Sequence, residues 1–189
     1  MTAISKKSIS VLFKAALLVT LFIGVSCTSE SVSDFDSQNK RAEKKERPMK
    51  GNMSNTADLS VDPIFCVTPI GPVPITTNHL FGNVTHLGKL QDGSSGSPQT
   101  CEVYDEATFT LRITYNTIYI APNGDELYGL SETFVTPAPP TFTSGSFYGS
   151  VTIDGGTGRF EDAEGGWDEI NGSFDDAGSS WQIDGSITY

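Results

Sequence analysis

Three cysteines and two histidines are the residues of this chain whose types and positions most readily suggest chemistry. Outside the cytoplasm, Cys66 and Cys101 are candidates for a disulfide, with two buried free thiols as the alternative. His86 is a candidate ligand-binding residue, because imidazole titrates near neutral pH. A CxxC motif and a Cys/His cluster are both absent from the sequence, so we expect no metal site.

Aromatic and charged side chains in the second half of the chain are the remaining candidates. Trp167 and Trp181 could stack on a ligand, although we expect them in the core, where the aromatic residues of a small β-domain more often lie. Arg112 is a further candidate ligand residue. The acids between residues 161 and 176 match no fixed-spacing calcium loop, and no Ser or Cys lies in an activated-nucleophile motif. We therefore expect no catalytic residues and no cofactor.

The charge of the chain argues against one class of partner. Over 189 residues the net charge is -11, and from Pro63 onward 16 acids outnumber three bases. Such an anionic body repels phosphate backbones, so we expect no nucleic-acid partner. The hydrophobic share of 37% is large enough to fill a core, and a wholly disordered chain is not expected.

Alternating apolar and polar residues predict that residues 79–189 form an antiparallel sheet rather than helices. The pattern is clearest over residues 108–115, where every second residue is apolar or aromatic. Turn-forming sequences at residues 122–125, 154–158 and 175–178 separate such runs and predict about seven or eight strands. Many short strands close into a barrel or pack as a sandwich, and the glycines within the strands favour a small all-β barrel.

The first 26 residues resemble the signal peptide of a bacterial lipoprotein. Two lysines precede an apolar stretch, and small residues stand directly before Cys27, as in the lipobox of that class. The resemblance implies that Cys27 is lipidated and anchors the protein to the outer membrane of the bacterial cell envelope, on its periplasmic or surface side. An ordinary cleaved signal is the alternative. Residues 27–62 are expected to form a disordered tether, and residues 63–189 the barrel domain.

A glycine-rich segment carries a resemblance to a known superfamily. Its pattern Gly-Gly-Thr-Gly-x-Phe-x-x-Ala-x-Gly is similar to a signature of the allene oxide cyclase and dirigent barrel superfamily. It also resembles a group of uncharacterised bacterial secreted proteins. The matching residues are Gly155, Gly156, Thr157, Gly158, Phe160, Ala163 and Gly165. The resemblance implies an eight-stranded antiparallel barrel with a central cavity, in which this motif is architectural.

Three shorter stretches extend the resemblance over most of the second half of the chain. They are the Thr-His-Leu-Gly of residues 85–88, the Asn-Gly-Asp of residues 123–125 and the Gly-x-Ile-x-Tyr of residues 185–189. In the bacterial group the first stretch belongs to a strand, so the resemblance implies that His86 is a packed residue. The catalytic residues of the plant enzymes match no positions in this chain, and their activity does not carry over.

These observations predict an envelope lipoprotein whose barrel binds a small apolar ligand or a partner surface without catalysis. The alternative is a cyclase or isomerase that shapes an apolar substrate inside the barrel. A purely structural role at the cell surface is a third hypothesis. The lining of the barrel distinguishes them, because convergent acidic, basic, amide or imidazole groups would favour catalysis and a packed interior would leave only the structural role. The sequence leaves the oligomeric state open.

Overall fold

A closed ring of eight antiparallel strands forms the body of the protein in the computed structural model, which describes residues 44–189. The strands are β1 (Glu46–Ala57), β2 (Ile64–Thr68), β3 (Gly71–Ile75), β4 (Asn78–Val84), β5 (Gly88–Lys89), β6 (Ser95–Asp105), β7 (Thr110–Ile120), β8 (Glu126–Pro137), β9 (Gly145–Gly156), β10 (Glu164–Asp175) and β11 (Gly178–Thr188). The ring runs β1–β11–β10–β9–β8–β7–β6–β4, and β4 pairs back onto β1. The predicted all-β barrel of about eight strands is confirmed.

The barrel domain begins earlier than the predicted start at residue 63, because β1 belongs to the ring. The sequence predicts a tether up to residue 62, whereas Glu46–Ala57 pairs with β11 on one side and with β4 on the other. Only Met49 and Met53 supply large apolar side chains to the core from this strand, so its alternation is weak in the sequence. Pairing on both edges holds the segment in place. The same pairing closes the ring, so that the ring has no open sheet edge.

Several predictions concern residues that the structure does not describe. The signal peptide of residues 1–26, the lipidation of Cys27 and the first part of the tether, up to residue 43, lie outside the described residues. Within residues 44–189, no helix is long and apolar enough to cross a membrane.

One end of the barrel, here called the motif end, is filled by the largest apolar cluster. Trp167, Phe160, Met49, Leu127 and Ile187 are all at most 1% exposed there. They come from β1, β8, β10, β11 and the short 3-10 helix Gly158–Phe160 that joins β9 to β10. Burial of large apolar side chains, at about 1.5–3 kcal/mol each, makes this end the main source of stability.

The glycine-rich motif closes the motif end. Gly158 has a φ of +57°, a conformation that favours glycine, and a side chain there would displace the carboxylate of Asp125. The turn directs Phe160 and Ala163 into the core, where they are 0% and 1% exposed. The hydroxyl of Thr157 accepts a hydrogen bond of 2.9 Å from the backbone N–H at the start of β8. These contacts give the motif an architectural role.

The opposite end, here called the hairpin end, is partly covered by the β2–β3 hairpin. Cys66 in β2 is bonded to Cys101 in β6, with their Cα atoms 5.2 Å apart. Cys66 and Ile75 pack with Leu111 and Ile113, which point inward from β7, and form a second, smaller apolar cluster. The hairpin is therefore attached to the barrel both covalently and by apolar packing.

Candidate functional site

A cavity of ≈ 240 Å³ occupies the barrel between the filled motif end and the hairpin. Every strand of the ring contributes to its wall, and β3 adds residues from the hairpin end. The lining residues are Asn55, Pro74, Ile75, Thr76, Asn78, Leu80, Gly96, Ile113, Tyr115, Thr117, Tyr119, Ser131, Thr133, Val135, Phe147, Val151, Ile170, Phe174, Ser179 and Trp181. The interior of this barrel is therefore not fully packed.

The wall of the cavity carries polar groups without charge. Among its lining residues, in the part of the chain that the structure describes, there is no Asp, Glu, Lys, Arg or His. Hydroxyls converge from two adjacent strands instead: Thr117 donates to the backbone oxygen of Gly129 at 2.9 Å, and the Ser131 and Thr133 hydroxyls lie 3.1 Å apart. Such groups can exchange hydrogen bonds with a ligand but cannot neutralise an ion.

Two tyrosines on β7 add neutral phenol groups. Burial raises the pKa of Tyr115 to about 12, although a hydrogen bond with Asn78 acts in the opposite direction. Burial likewise raises the pKa of Tyr119, which is 3% exposed and bonds with Thr117. Both phenols are protonated at neutral pH, as an ordinary tyrosine is, and desolvation disfavours their phenolate forms further. They contribute hydrogen-bond donors and apolar ring surface to the cavity.

Aromatic rings form the other side of the wall. Trp181 and Phe147 meet edge to face with their ring centroids 5.9 Å apart, and both line the cavity. Of the two predicted tryptophan candidates, Trp181 therefore lies at the cavity. Trp167 does not line it: its ring is 1% exposed in the core and packs 5.4 Å from Tyr119.

The other two candidates lie away from the cavity. His86 is in a turn after β4 with a φ of +67° and an exposed side chain, so the expectation of a packed strand residue is wrong. Its backbone oxygen accepts a hydrogen bond of 2.9 Å from Arg159. Arg112 lies on the outer surface of β7 between two carboxylates, those of Glu102 and Glu132, which raise the pKa of its guanidinium.

Most of the polar residues that line the cavity are not among the candidates predicted from the sequence. Thr117, Ser131 and Thr133 occupy inward positions on β7 and β8, where the alternating pattern predicts apolar residues. A polar residue on the predicted apolar face was the available signal, since a polar group points into a barrel only where a partner or a cavity accommodates it.

No three His, Cys, Asp or Glu side chains of residues 44–189 converge into a set that could hold a metal ion.

Fold and cavity together define a small β-barrel with an uncharged internal site. No protein-family model and no curated protein matches the chain. Among solved structures, the chain is similar to the pterocarpan synthase dirigent protein GePTS1, at 15% sequence identity and a TM-score of 0.41. The similarity covers 86% of this chain and 96% of that one. It concerns the fold alone, and membership of a bacterial lipoprotein group stays a prediction.

Proposed function

We propose that the barrel binds a small, uncharged and mainly apolar molecule in its cavity, without catalysing a reaction on it. The observation that carries this proposal is an unfilled interior whose lining combines apolar side chains with hydroxyl and amide groups. Apolar burial supplies the affinity of such sites, while a few placed polar groups orient the ligand.

The size of the cavity limits the size of the ligand. Its volume of ≈ 240 Å³ is larger than the roughly 150 Å³ that accommodates benzene, and smaller than the roughly 300–1,000 Å³ of sites for drug-sized molecules. A molecule of one or two fused rings, or a short branched chain with one oxygen atom, fits these limits. The hydroxyls of Thr117 and Ser131 are suited to bind that oxygen.

The lining supports binding over the cyclase or isomerase alternative. General acid–base catalysis uses carboxylates, imidazoles or amines whose pKa lies near the working pH. Burial raises the pKa values of Tyr115 and Tyr119, so these values lie further from neutral pH than that of an ordinary tyrosine. A cavity with these groups can hold and orient a molecule, but it has no strong proton acceptor at neutral pH.

The proposed location is the bacterial cell envelope, with lipidated Cys27 in the outer membrane and the barrel held beside it. What supports this is the lipobox-like sequence before Cys27. The mass of the mature chain tests it: we expect a chain that begins at Cys27 and carries added acyl groups. A chain cut elsewhere, or one without acyl mass, would contradict the anchor.

Native mass spectrometry of the full chain, extracted from its source membrane in mild detergent, tests the proposed binding. We expect a population that carries one small organic molecule, which organic solvent releases and whose mass stays the same when a different detergent is used. A bare chain in every preparation, or an added mass that changes with the detergent, would count against a resident ligand.

A further inference from the structure

The outer surface of the barrel carries a row of side chains that the strand register aligns. In this row, Asn83 of β4 lies opposite Asn52 of β1, which lies opposite Gln182 of β11. Gln182 pairs in turn with Asn171 of β10, and Asn171 with Tyr148 of β9. Phe134 of β8 follows Tyr148 and completes what we call the amide–aromatic row. With neighbouring strands about 4.8 Å apart, the row extends over roughly 24 Å.

The four amides of the row are available for a ligand. Asn52, Asn83, Asn171 and Gln182 are all exposed, and their side-chain amides have no hydrogen-bond partner within residues 44–189. Each amide presents two donors and an acceptor oxygen. Four adjacent amides therefore offer alternating donors and acceptors, which is the pattern that the hydroxyls of a sugar chain can match.

The aromatic end of the row presents a ring surface to solvent. Tyr148 and Phe134 are stacked, with ring centroids 4.9 Å apart and an angle of 12° between their planes. Tyr104 packs edge-on against Phe134 at 4.7 Å and supports the pair. Phe134 covers one face of the Tyr148 ring, and Tyr148 is still 48% exposed. Asn171 lies beside Tyr148 on the strand away from Phe134, so the uncovered face of the ring adjoins Asn171. Aromatic ring and amide thus face the same ligand position.

A line of uncharged hydroxyls flanks the row on one side. On the other side lies the Lys50–Asp184 ion pair, and Arg112 pairs with Phe134 at the aromatic end. Beside the row, on four of its six strands, lies a second register line of hydroxyls. Its members are Ser54, Ser180, Ser173 and Ser146. Asn52, Asn171, Ser173, Ser180 and Gln182 line one shallow groove. The acids of β10, such as Asp168 and Asp175, do not line this groove. The uncharged groove therefore suits a neutral, hydroxyl-rich partner rather than an ion.

We propose that the amide–aromatic row binds a neutral polysaccharide chain. The apolar face of a pyranose ring would stack against Tyr148, and the hydroxyls of the following sugars would exchange hydrogen bonds with Asn171, Gln182 and Asn52. The spacing of neighbouring strands resembles the length of one sugar along an extended chain, so successive sugars meet successive strands. This site lies on the outside of the barrel and does not depend on the proposed ligand in the cavity.

Isothermal titration calorimetry of the full chain in a non-glycosidic detergent tests the proposal. The probes are three neutral polysaccharides, dextran, galactomannan and xyloglucan, with acidic alginate as the comparison. We expect saturable heat with at least one neutral polymer and none with alginate. Tyr148→Ala is expected to weaken binding about tenfold, the loss typical of one removed aromatic stacking contact. Gln182→Ala should weaken it as well.

A matched variant separates the row from the rest of the surface. Asn116 is an exposed amide on the outer face of β7, outside the row, so Asn116→Ala is expected to bind like the unaltered chain. The proposal is overturned if none of the neutral polymers binds, if alginate binds instead, or if Asn116→Ala weakens binding as much as Gln182→Ala. Both amides are exposed, so neither substitution disturbs the core.

Discussion

Tyr115 shows how one partly buried side chain links the cavity to the stability of the fold. Its phenol lies in the cavity wall, where burial raises its pKa to about 12, against 10.0 for an ordinary tyrosine. In the unfolded chain the same group ionises near the ordinary value. Between these two pKa values only the unfolded chain releases the proton, so rising pH favours unfolding.

The pH dependence of unfolding tests this account of Tyr115. The stabilising effect of the protonated phenol is complete below about pH 10 and is lost as the pH rises towards 12. We expect the unfolding free energy, measured in urea, to fall between pH 8 and pH 11. In Tyr115→Phe this fall should be smaller by about 1 kcal/mol. An equal fall in both proteins would show that Tyr115 is accessible to solvent.

At the scale of elements, the β2–β3 hairpin forms part of the wall of the cavity. Pro74, Ile75 and Thr76, at and after the end of β3, line the cavity. The hairpin pairs with no strand of the ring, so the Cys66–Cys101 bond and a small apolar cluster hold it there. Its position should therefore depend on the disulfide more than that of any ring strand does.

Removal of the disulfide tests the attachment of the hairpin. We expect Cys66→Ala combined with Cys101→Ala to lower the unfolding free energy by about 4 kcal/mol, the chain-entropy value for a loop of this length. Hydrogen exchange should become faster in the hairpin while the amides of β9 and β10 stay protected. As a control, a reducing agent should speed hydrogen exchange in the hairpin of the unaltered chain and leave the exchange rates of the double variant unchanged. Equal exchange rates in the hairpin of both proteins would contradict the prediction.

The strands were predictable where alternation and turn residues agree. β7 combines inward apolar residues with outward polar ones, and an Asn-Gly turn follows it, so its pairing with β8 is predictable. The predicted start at Thr108 is wrong, because Phe109 lies in a turn with a φ of +59° and the strand begins at Thr110. β1 was not predictable, because Lys50, Asn52 and Pro48 give it the composition of a tether. Only its long-range pairing with β4 and β11 makes it a strand, and no local pattern encodes that pairing.

At the scale of the whole molecule, the two ends of the barrel differ in packing: one end is filled, and the other contains the cavity. The motif end holds the large side chains, with Trp167 and Phe160 fully enclosed, and provides the stability that lets the hairpin end stay hollow. The ring and its apolar interior follow from the alternating sequence. The cavity cannot be predicted from that alternation, because whether the inward side chains fill the barrel axis depends on their three-dimensional packing.

Gly96 is the residue whose lack of a side chain helps to keep the cavity open. A Cβ atom at this position would point among Thr117, Tyr115 and Leu80, at 3.8–4.0 Å from their nearest atoms, which is ordinary contact. Gly96→Val would therefore fill space within the cavity while β6 keeps its backbone, and a β-branched residue suits a strand. Thr152, exposed on the outer face of β9, provides the matched substitution Thr152→Val.

The binding of 1-naphthol, a neutral two-ring molecule with one hydroxyl group, tests the central claim most directly. Titration of the full chain, monitored by the fluorescence of the probe, should show saturable binding at one site. Thr152→Val should bind equally well, and Gly96→Val should lose the saturable signal while its melting temperature is unchanged or higher. If Gly96→Val binds 1-naphthol as tightly as the unaltered chain, the cavity is not the binding site.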